Sequence, residues 1–447
     1  MRKWRNAVMA CCLGLLFLVM ASIFLRFFTA KVLVQRMHMD NGFTRVVTGD
    51  LQQYGAKKSH KNVPVNWEKK YPFDHDTSWL SRGLGRMTAI QTRIANGPEK
   101  GVMSWTTDNL AGYSYLVECG RKLEDQLGWH IVNPSMNIAK LPDGYLSHVF
   151  WRQDMHKHAE QIEHLAELSR AQGASFFYVQ TPFKVNAYGD AETRENLDHT
   201  AENVEELTNR LQQAGIPILD LRPEWQGLSD TEYHGLFYRT DHHWRPETAL
   251  HEAGVIAAYM QEQYGMQVEM SRFDPSEYEW QTREDWFLGS QGKKVTLART
   301  QMEDFSWGEP RFPTQIQLEI PSLGIDEMGD FSLMLDYSNV QHRSAYHANP
   351  YAMFLYGDQA YTHIINQNLQ HFPQKKILAF TDSYGDTMIP FLAMGVREVV
   401  KVDVRHFTGS VEKLIQAEKP DIVFLMYHSS VERKFDMETH TGKYDFR

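Results

Sequence analysis

Apolar residues from position 141 onward alternate between two spacings along the chain. Stretches in which they recur every three or four positions predict amphipathic helices, and glycines just beyond such stretches suit helix C-caps. The short continuous apolar runs that follow predict buried strands. This alternation predicts an α/β fold, with a parallel sheet covered by helices on both faces. The predicted pairs of helix and strand are 159–166 with 174–179, 204–214 with 217–221, and 411–417 with 422–426, and a further strand covers 399–404.

The stretch 375–394, KKILAFTDSYGDTMIPFLAM, combines a buried strand, a tight turn and a helix. Ser383 lies in the turn, at the carboxyl end of the predicted strand, where open α/β sheets place their chemistry. The first backbone N–H groups of the helix have no partner within it, so we expect them to hold an oxyanion. The segment therefore makes Ser383 a candidate nucleophile.

A second stretch, 239–248, reads RTDHHWRPET. Pro246 suits the first turn of a helix, and the apolar face of that helix follows it. The residues before the proline should then lie in extended chain, in which side chains two positions apart point to the same side. Asp241 and His243 are therefore expected to face one site, whereas His242 faces away. A carboxylate that orients a histidine, and a histidine that deprotonates a serine, form a catalytic triad.

Two other interpretations of Asp241, His242 and His243 stay open at this point. The three residues could form caps and hydrogen bonds at a helix start. They could also ligate a metal, because His and Asp are common ligands. Adjacent histidines in extended chain point apart, so chelation by both is not expected, and we predict no metal and no cofactor.

The segments 240–244 and 382–384 resemble the motifs of the DHHW family, named for the tetrapeptide that begins at Asp241. In these SGNH hydrolase-like proteins a TD-x-HW motif supplies the Asp and the His, and a later DS-[FY] or TS-[FY] turn supplies the Ser. The segment 349–351, Gly357 and the segment 364–366, which lead into the strand before Ser383, also fit that family. The similarity covers roughly residues 130–447. Unlike ordinary SGNH hydrolases, this chain places Asp and His before Ser, and their usual Gly and Asn oxyanion blocks are not found.

The resemblance implies an SGNH hydrolase-like α/β/α sandwich with a mainly parallel central sheet. It also implies chemistry similar to that of proteins that O-acetylate bacterial exopolysaccharides, alginate included. Ser383 would be the nucleophile, His243 the base and Asp241 the residue that orients the base. A membrane-bound O-acyltransferase would be the partner that hands over the acetyl group.

Five polar residues near the predicted site are further candidates. Lys184 and Asn186, in the loop after the strand at 174–179, could bind substrate or donate to an oxyanion, or could simply form a polar loop. Arg239 could bind an acidic sugar or pair with an acid. Tyr384 directly follows the serine and is a candidate for substrate binding. His428 ends the last predicted strand and is a fallback base.

Other candidate nucleophiles fit less well. Cys119 is the one cysteine beyond the amino-terminal apolar run, which excludes an intramolecular disulfide there and favours a small buried residue. Ser429 and Ser430 also follow a strand, but the charged residues after them do not predict an apolar helix.

The amino terminus predicts a membrane anchor. Residues 7–25 form an uncharged run that is long enough to span a bilayer. No convincing cleavage site follows this run, so an anchor is favoured over a cleaved signal peptide. The basic residues at positions 2, 3 and 5 keep the amino terminus in the cytoplasm and place the rest outside the membrane. The predicted domains are a cytoplasmic tip and anchor (1–28), a juxtamembrane spacer (29–75), a helical region (76–130) and an SGNH-like catalytic domain (131–447), with a β-rich insertion at about 273–346.

The 447 residues are 42% hydrophobic and 23% charged, which is a globular composition, and the net charge of −10 argues against nucleic acid as a partner. We therefore expect acyl-ester chemistry on a cell-envelope or exopolysaccharide glycan, with O-acetyl transfer favoured by the resemblance. Two alternatives remain, a carbohydrate esterase with the same triad and a non-catalytic glycan-binding or scaffold subunit.

Overall fold

A computed structural model of the chain describes residues 131–133, 137–189, 198–297, 299–428 and 444–446. The predicted anchor, spacer and helical region lie outside these residues, as do Cys119, Ser429 and Ser430. Across the described ranges, no helix has both the length and the apolar character that crossing a membrane requires.

The helices and strands alternate along the described chain much as the apolar spacing predicts. The α-helices are α1 (His156–Ala171), α2 (Thr200–Gln213), α3 (Asp230–His234), α4 (Pro246–Tyr264), α5 (Ser290–Val295), α6 (Ser383–Gly395) and α7 (Val411–Glu418). The strands are β1 (Ile131–Asn133), β2 (Ile138–Lys140), β3 (Leu146–His148), β4 (Ser175–Gln180), β5 (Ile218–Asp220), β6 (Tyr278–Phe287), β7 (Glu303–Pro310), β8 (Ile316–Ile320), β9 (Ile325–Gly329), β10 (Tyr361–Asn366), β11 (Lys376–Thr381), β12 (Glu398–Val402) and β13 (Ile422–Tyr427).

The central sheet of the described residues has eight strands in the order β5-β4-β13-β11-β12-β10-β8-β9. The first five of these are parallel to one another, and β10, β8 and β9 continue the sheet with antiparallel pairing. The sheet is therefore mixed: its five-stranded part is parallel as expected, and three antiparallel strands extend it in a way that the sequence did not indicate. The reason lies in β8, where buried Ile316, Leu318 and Ile320 alternate with half-buried polar residues, the pattern of an antiparallel strand with one solvated face.

The interval 273–346, predicted as β-rich, contributes to two sheets. Strands β6 and β7 pair with each other as a two-stranded antiparallel ribbon, whereas β8 and β9 belong to the central sheet. The segment that connects β6 to β7 contains the short helix α5, and this segment reaches the candidate active site.

Two hydrophobic cores lie on opposite faces of the central sheet. In β11, Ile377 and Ala379 belong to the core that includes α4 and α6, whereas Leu378 and Phe380 belong to the core that includes α1 and α7. Successive side chains of a strand point to opposite faces, so a strand buried on both faces is apolar throughout. The α/β fold with helices on both faces of the sheet is confirmed.

Helix α4 begins and ends as the sequence predicts. Pro246 occupies its first turn, and Gly265 caps its carboxyl end with a φ of 59°, a left-handed conformation that glycine adopts without strain. The predicted apolar face is fully buried and consists of Ala249, Leu250, Ala253, Ile256, Ala257 and Met260. This packing holds the end of α4 that follows the DHHW motif against the sheet.

Glu252 on α4 makes the stability of this core depend on pH. Its side chain is 0% exposed and accepts a hydrogen bond of 2.7 Å from Trp225 Nε1. Burial raises the pKa of Glu252 to about 8 from its ordinary value of 4.5. The folded state thus favours the protonated carboxyl, so its contribution is complete below pH 4.5 and is lost as the pH rises to about 8.

We expect Glu252→Gln to stabilise the protein at alkaline pH, because the amide stays neutral at every pH. The gain in unfolding free energy should reach a few kcal/mol above about pH 8 and shrink toward zero near pH 4.5. Thermal unfolding midpoints of the two proteins across this range measure the difference. Glu262→Gln, at an exposed position of the same helix, is the control and should show no such trend. A constant difference between Glu252→Gln and the wild type would contradict the assignment.

Candidate active site

Ser383 lies where a central strand becomes a helix, as the sequence predicts. Strand β11 ends at Thr381, Asp382 is the N-cap, and α6 begins at Ser383. Gly385 permits the tight turn, because a Cβ at that position would lie 2.1 Å from Thr381 Oγ1. Ser383 is half-buried while its neighbours on both sides are buried, so its hydroxyl retains contact with solvent.

Asp382 ties this turn to the neighbouring strand. One carboxylate oxygen accepts the N–H of Tyr384 at 3.1 Å, and the other accepts the N–H of His428, directly after β13, at 3.0 Å. The position of Ser383 is therefore held from both the helix and the adjacent strand end.

Ser383, His243 and Asp241 form a continuous series of hydrogen bonds. Ser383 Oγ lies 2.8 Å from His243 Nε2, and His243 Nδ1 lies 2.5 Å from Asp241 Oδ1. Burial opposes ionisation of Asp241, but the charges of the two neighbouring histidines and its hydrogen bonds hold the pKa of this carboxyl well below its ordinary value. A permanently ionised Asp241 favours the His243 tautomer whose Nδ1 carries the proton, which leaves Nε2 free to accept one from the serine.

The backbone around Asp241 is bent rather than extended, and the prediction that His242 faces away is wrong. Asp241 Oδ1 accepts the N–H of His243 at 3.1 Å, a local turn in which an aspartate side chain redirects the chain. The ring centroids of His242 and His243 are consequently 3.8 Å apart, and His242 Nδ1 lies 3.3 Å from Asp241 Oδ1. His242 Nδ1 also lies 3.1 Å from Ser290 Oγ.

The second oxygen of Asp241 is held by a segment that the sequence does not connect with it. The backbone N–H of Ser290, the first residue of α5, donates to Asp241 Oδ2. The approach needs Gly289, because a Cβ there would lie 2.3 Å from Asp241 Cβ. No local pattern indicates this contact, since it joins positions 48 or more apart in the chain.

Glu303 anchors the start of the DHHW motif. Its carboxylate accepts the backbone N–H groups of Arg239 at 2.8 Å and Thr240 at 2.7 Å, and the Thr240 hydroxyl at 2.6 Å. Sequence reasoning missed Glu303, which lies in the strand-rich interval with no motif around it.

Lys184 anchors the same motif from the other side. Its buried ammonium donates to the backbone carbonyls of Leu146 and Tyr238, at 2.7 and 2.6 Å, and to that of Asp241. Burial lowers the pKa of Lys184 to about 7 against the opposing charges of Glu303 and Asp241. With its donors used inside the protein, Lys184 holds the motif in place; it also lines the pocket beside His242, and its contact with substrate stays a prediction.

Asn186 and Tyr384, also predicted to bind substrate, are engaged within the fold as well. Asn186 Nδ2 donates to Asp230 Oδ1 at 2.9 Å. The Tyr384 side chain is fully buried, and its hydroxyl donates to the carbonyl of His242 at 2.6 Å. Both side chains therefore support the site from within.

Arg239 is half-buried, whereas His428 is buried. The Arg239 guanidinium lies over the Tyr145 ring, 5.5 Å from its centroid, and the residue is half-buried, so Arg239 stays a candidate for contact with an acidic group. The ring centroid of His428 lies 4.6 Å from that of Tyr384, but the histidine hydrogen-bonded to Ser383 Oγ is His243. His428 also lines a pocket together with His148, His242, Phe150 and Phe183.

The expected oxyanion site at the helix start needs correction. The Tyr384 N–H donates to the Asp382 side chain, and the Gly385 N–H donates to the Asp382 carbonyl at 2.9 Å. The N-cap thus satisfies both groups, as capping residues generally do. These two N–H groups are already used and do not supply the predicted oxyanion contacts.

Tyr351 is a contact of His243 that the sequence did not single out. It belongs to a 3-10 turn, Pro350–Met353, and its ring stacks on the His243 ring with centroids 3.8 Å apart and an angle of 14° between the planes. Its hydroxyl donates to the backbone carbonyl of Ser383 at 3.2 Å. The segment 349–351 did fit the family pattern, but nothing local placed its tyrosine against the histidine.

Asp241, His242 and His243 could also hold a metal ion, since each offers a ligand atom and these atoms lie within 4.8 Å of one another. The expectation that the adjacent histidines point apart is therefore wrong. Either ring nitrogen of His243 would, however, give up its present partner, Asp241 or Ser383, on binding a metal.

Comparison with known families bears directly on this site. Residues 144–300 match the family model described as the SGNH hydrolase-like domain of the acetyltransferase AlgX. Residues 144–300 are therefore similar to an SGNH hydrolase-like domain. The resemblance inferred from the sequence is confirmed, and the matched residues include Asp241 and His243, whereas Ser383 lies beyond them. No curated protein matches the sequence.

Solved structures with a similar fold include PatB1 of Bacillus cereus, at 18% identity and a TM-score of 0.54, covering 69% of this chain and 99% of that one. A DHHW family protein from Eubacterium siraeum DSM 15702 matches at 18% identity with a TM-score of 0.47, covering 66% and 90% of the two chains. The O-acetyltransferase domain of Pseudomonas putida AlgJ matches at 12% identity with a TM-score of 0.41, covering 68% and 95%. At 18% identity, the likeness to PatB1 shows the fold alone.

Proposed function

We propose that this protein is an O-acetyltransferase that acts outside the cytoplasm on the hydroxyl groups of a cell-envelope or exopolysaccharide glycan. The observation that carries the proposal is the hydrogen-bonded series from Ser383 through His243 to Asp241. The match of residues 144–300 to an acetyltransferase domain family supports the choice of acyl group.

In the first half of the proposed reaction, His243 Nε2 takes the hydroxyl proton while Ser383 Oγ bonds to the carbonyl carbon of an acetyl donor. The bond from that carbon to the leaving atom of the donor then breaks, and His243 returns the proton to the leaving atom. An acetyl-serine remains.

In the second half, a sugar hydroxyl attacks the acetyl-serine. Its proton passes to His243, the bond between Ser383 Oγ and the acetyl carbon breaks, and His243 returns the proton to the serine. Water in place of the sugar would release acetate, which is the esterase reaction. The donor is proposed to be loaded by a membrane-bound O-acyltransferase, because the single apolar run at 7–25 cannot carry acetyl across a bilayer.

We expect the purified full-length chain to cleave a chromogenic acetyl ester and to move the acetyl group onto an oligosaccharide acceptor. The chromophore measures the first half, and mass spectrometry of the acceptor measures the second. Free acetate with no acetylated acceptor, over a panel of neutral and acidic oligosaccharides, would favour a carbohydrate esterase. A folded chain that gives neither product nor a covalent adduct would favour the non-catalytic subunit instead.

A further inference from the structure

The stack between Tyr351 and His243 has an unusual geometry for two neutral rings. Aromatic pairs ordinarily prefer offset or edge-to-face arrangements with centroids about 4.5–7 Å apart, because face-to-face contact opposes like parts of the two quadrupoles. The Tyr351 and His243 rings lie 3.8 Å apart and nearly parallel, at 14°. The same face-to-face contact becomes favourable when one ring is a cation, since the electron-rich face of a phenol attracts positive charge.

We propose that Tyr351 is a positioning residue that favours the protonated form of His243 and thereby strengthens it as the base for Ser383. This inference rests on the proposed function. In the reaction, His243 becomes positively charged only while it holds the serine or sugar proton. An interaction that is stronger with the charged ring therefore stabilises the transition state more than the ground state, and this lowers the barrier.

The surroundings of Tyr351 suit this role. Its side chain is 3% exposed, and burial raises the pKa of Tyr351 well above its ordinary value, so the ring stays a neutral phenol. The hydroxyl donates to the carbonyl of Ser383, at the start of α6. Tyr351 thus joins the backbone that carries the nucleophile to the ring of the base.

Other groups also act on the charge of His243. Asp241 favours the protonated ring through its hydrogen bond, and the ring of His242 opposes it when it is charged. Among the described residues, the Ser383 hydroxyl, the Tyr384 ring at 5.6 Å and the Asp358 carboxylate, whose charge interacts with it, also face or reach His243. The Tyr351 variants described below leave all of these groups in place, so a change in titration can be assigned to the phenol ring.

The test compares Tyr351→Leu, which removes the ring, with Tyr351→Phe, which keeps the ring and removes the hydroxyl. We expect the acid limb of the kcat/KM profile of Tyr351→Leu to move to lower pH by about half a unit to one unit, because protonated His243 loses its cation–π partner. Its plateau should fall by about threefold to tenfold. Tyr351→Phe should keep the wild-type acid limb.

A structural defect alone would lower the plateau without moving the acid limb, which separates the two explanations. Tyr233→Phe is the control for Tyr351→Phe, since its buried hydroxyl also donates to a backbone carbonyl, that of Phe183 at 2.9 Å. If Tyr351→Leu does not fold, Tyr351→Met takes its place, because methionine fills irregular gaps well.

A titration that does not require catalysis keeps this inference distinct from the proposed function. In the full-length chain with 15N-labelled histidine, NMR follows the His243 ring, whose signals are assigned by their loss in His243→Gln. We expect the titration midpoint to fall in Tyr351→Leu and to be retained in Tyr351→Phe. An unchanged midpoint in Tyr351→Leu, or equal shifts in both variants, would overturn the role of the ring. A shifted midpoint in a protein without acetyl-ester turnover would instead sink the proposed function and leave the ring interaction standing.

Discussion

Ser383→Ala is expected to lower turnover of an acetyl ester by roughly 10⁴- to 10⁶-fold, because the variant has no oxygen to form the acetyl-serine. Ser383 is the serine whose Oγ lies 2.8 Å from His243 Nε2, at a strand end that keeps the hydroxyl accessible. The fold should be unaffected, since the side chain is half-buried and Asp382 rather than Ser383 caps the helix. Initial rates with a chromogenic acetyl ester measure the loss.

Ser290→Ala is the matched control, because Ser290 forms the other close contact between a serine hydroxyl and a histidine in this region, 3.1 Å from His242 Nδ1. The Ser290 N–H that holds Asp241 comes from the backbone and survives the substitution. We expect Ser290→Ala to keep most of the activity. A serine-directed phosphonate, followed by peptide mass spectrometry, should label Ser383 and no other residue. Labelling that persists in Ser383→Ala would refute the assignment.

Asp241→Asn is expected to lower turnover by about 10²- to 10⁴-fold while the protein stays folded. The Asp241 carboxylate accepts hydrogen bonds at both oxygens, from His243 at Oδ1 and from the Ser290 N–H at Oδ2, so an asparagine amide must place its N–H₂ against one of these donors. With the amide oxygen kept toward Ser290, the N–H₂ faces His243 Nδ1, which then has to accept a hydrogen bond. The imidazole proton moves to Nε2, where it blocks transfer from Ser383.

The same substitution at Asp336 separates this tautomer effect from loss of a turn. Asp336 Oδ1 accepts the N–H of Ser338 at 3.0 Å, two positions on, as Asp241 Oδ1 accepts that of His243. We expect Asp336→Asn to keep wild-type turnover. Circular dichroism and thermal unfolding check the fold of both variants. Wild-type rates in folded Asp241→Asn would remove Asp241 from the role of orienting acid.

The positions of the main elements could be predicted from the sequence because they depend on local periodicity. The run before Ser383 is apolar throughout, which is typical of a strand buried on both faces, and the helix after Pro246 shows its apolar face at helical spacing. The pairing of Asp241 with His243 could also be predicted, since the two residues are close in sequence and belong to a segment that resembles a family motif. The three reactive groups could therefore be proposed before their distances were known.

The tertiary structure decided what holds these groups in place. Gly289, Ser290, Glu303 and Tyr351 reach the site across separations of 48 to 108 positions from the residues they contact at 240–243. Such contacts depend on how strands and loops pack, and no periodicity of one sequence records them. The predicted orientation of His242 was wrong for a related reason, because the Asp241 side chain accepts the backbone N–H of His243 and bends a segment that was assumed to be extended. The sequence by itself determined which residues could react, and packing between distant segments decided how they are oriented.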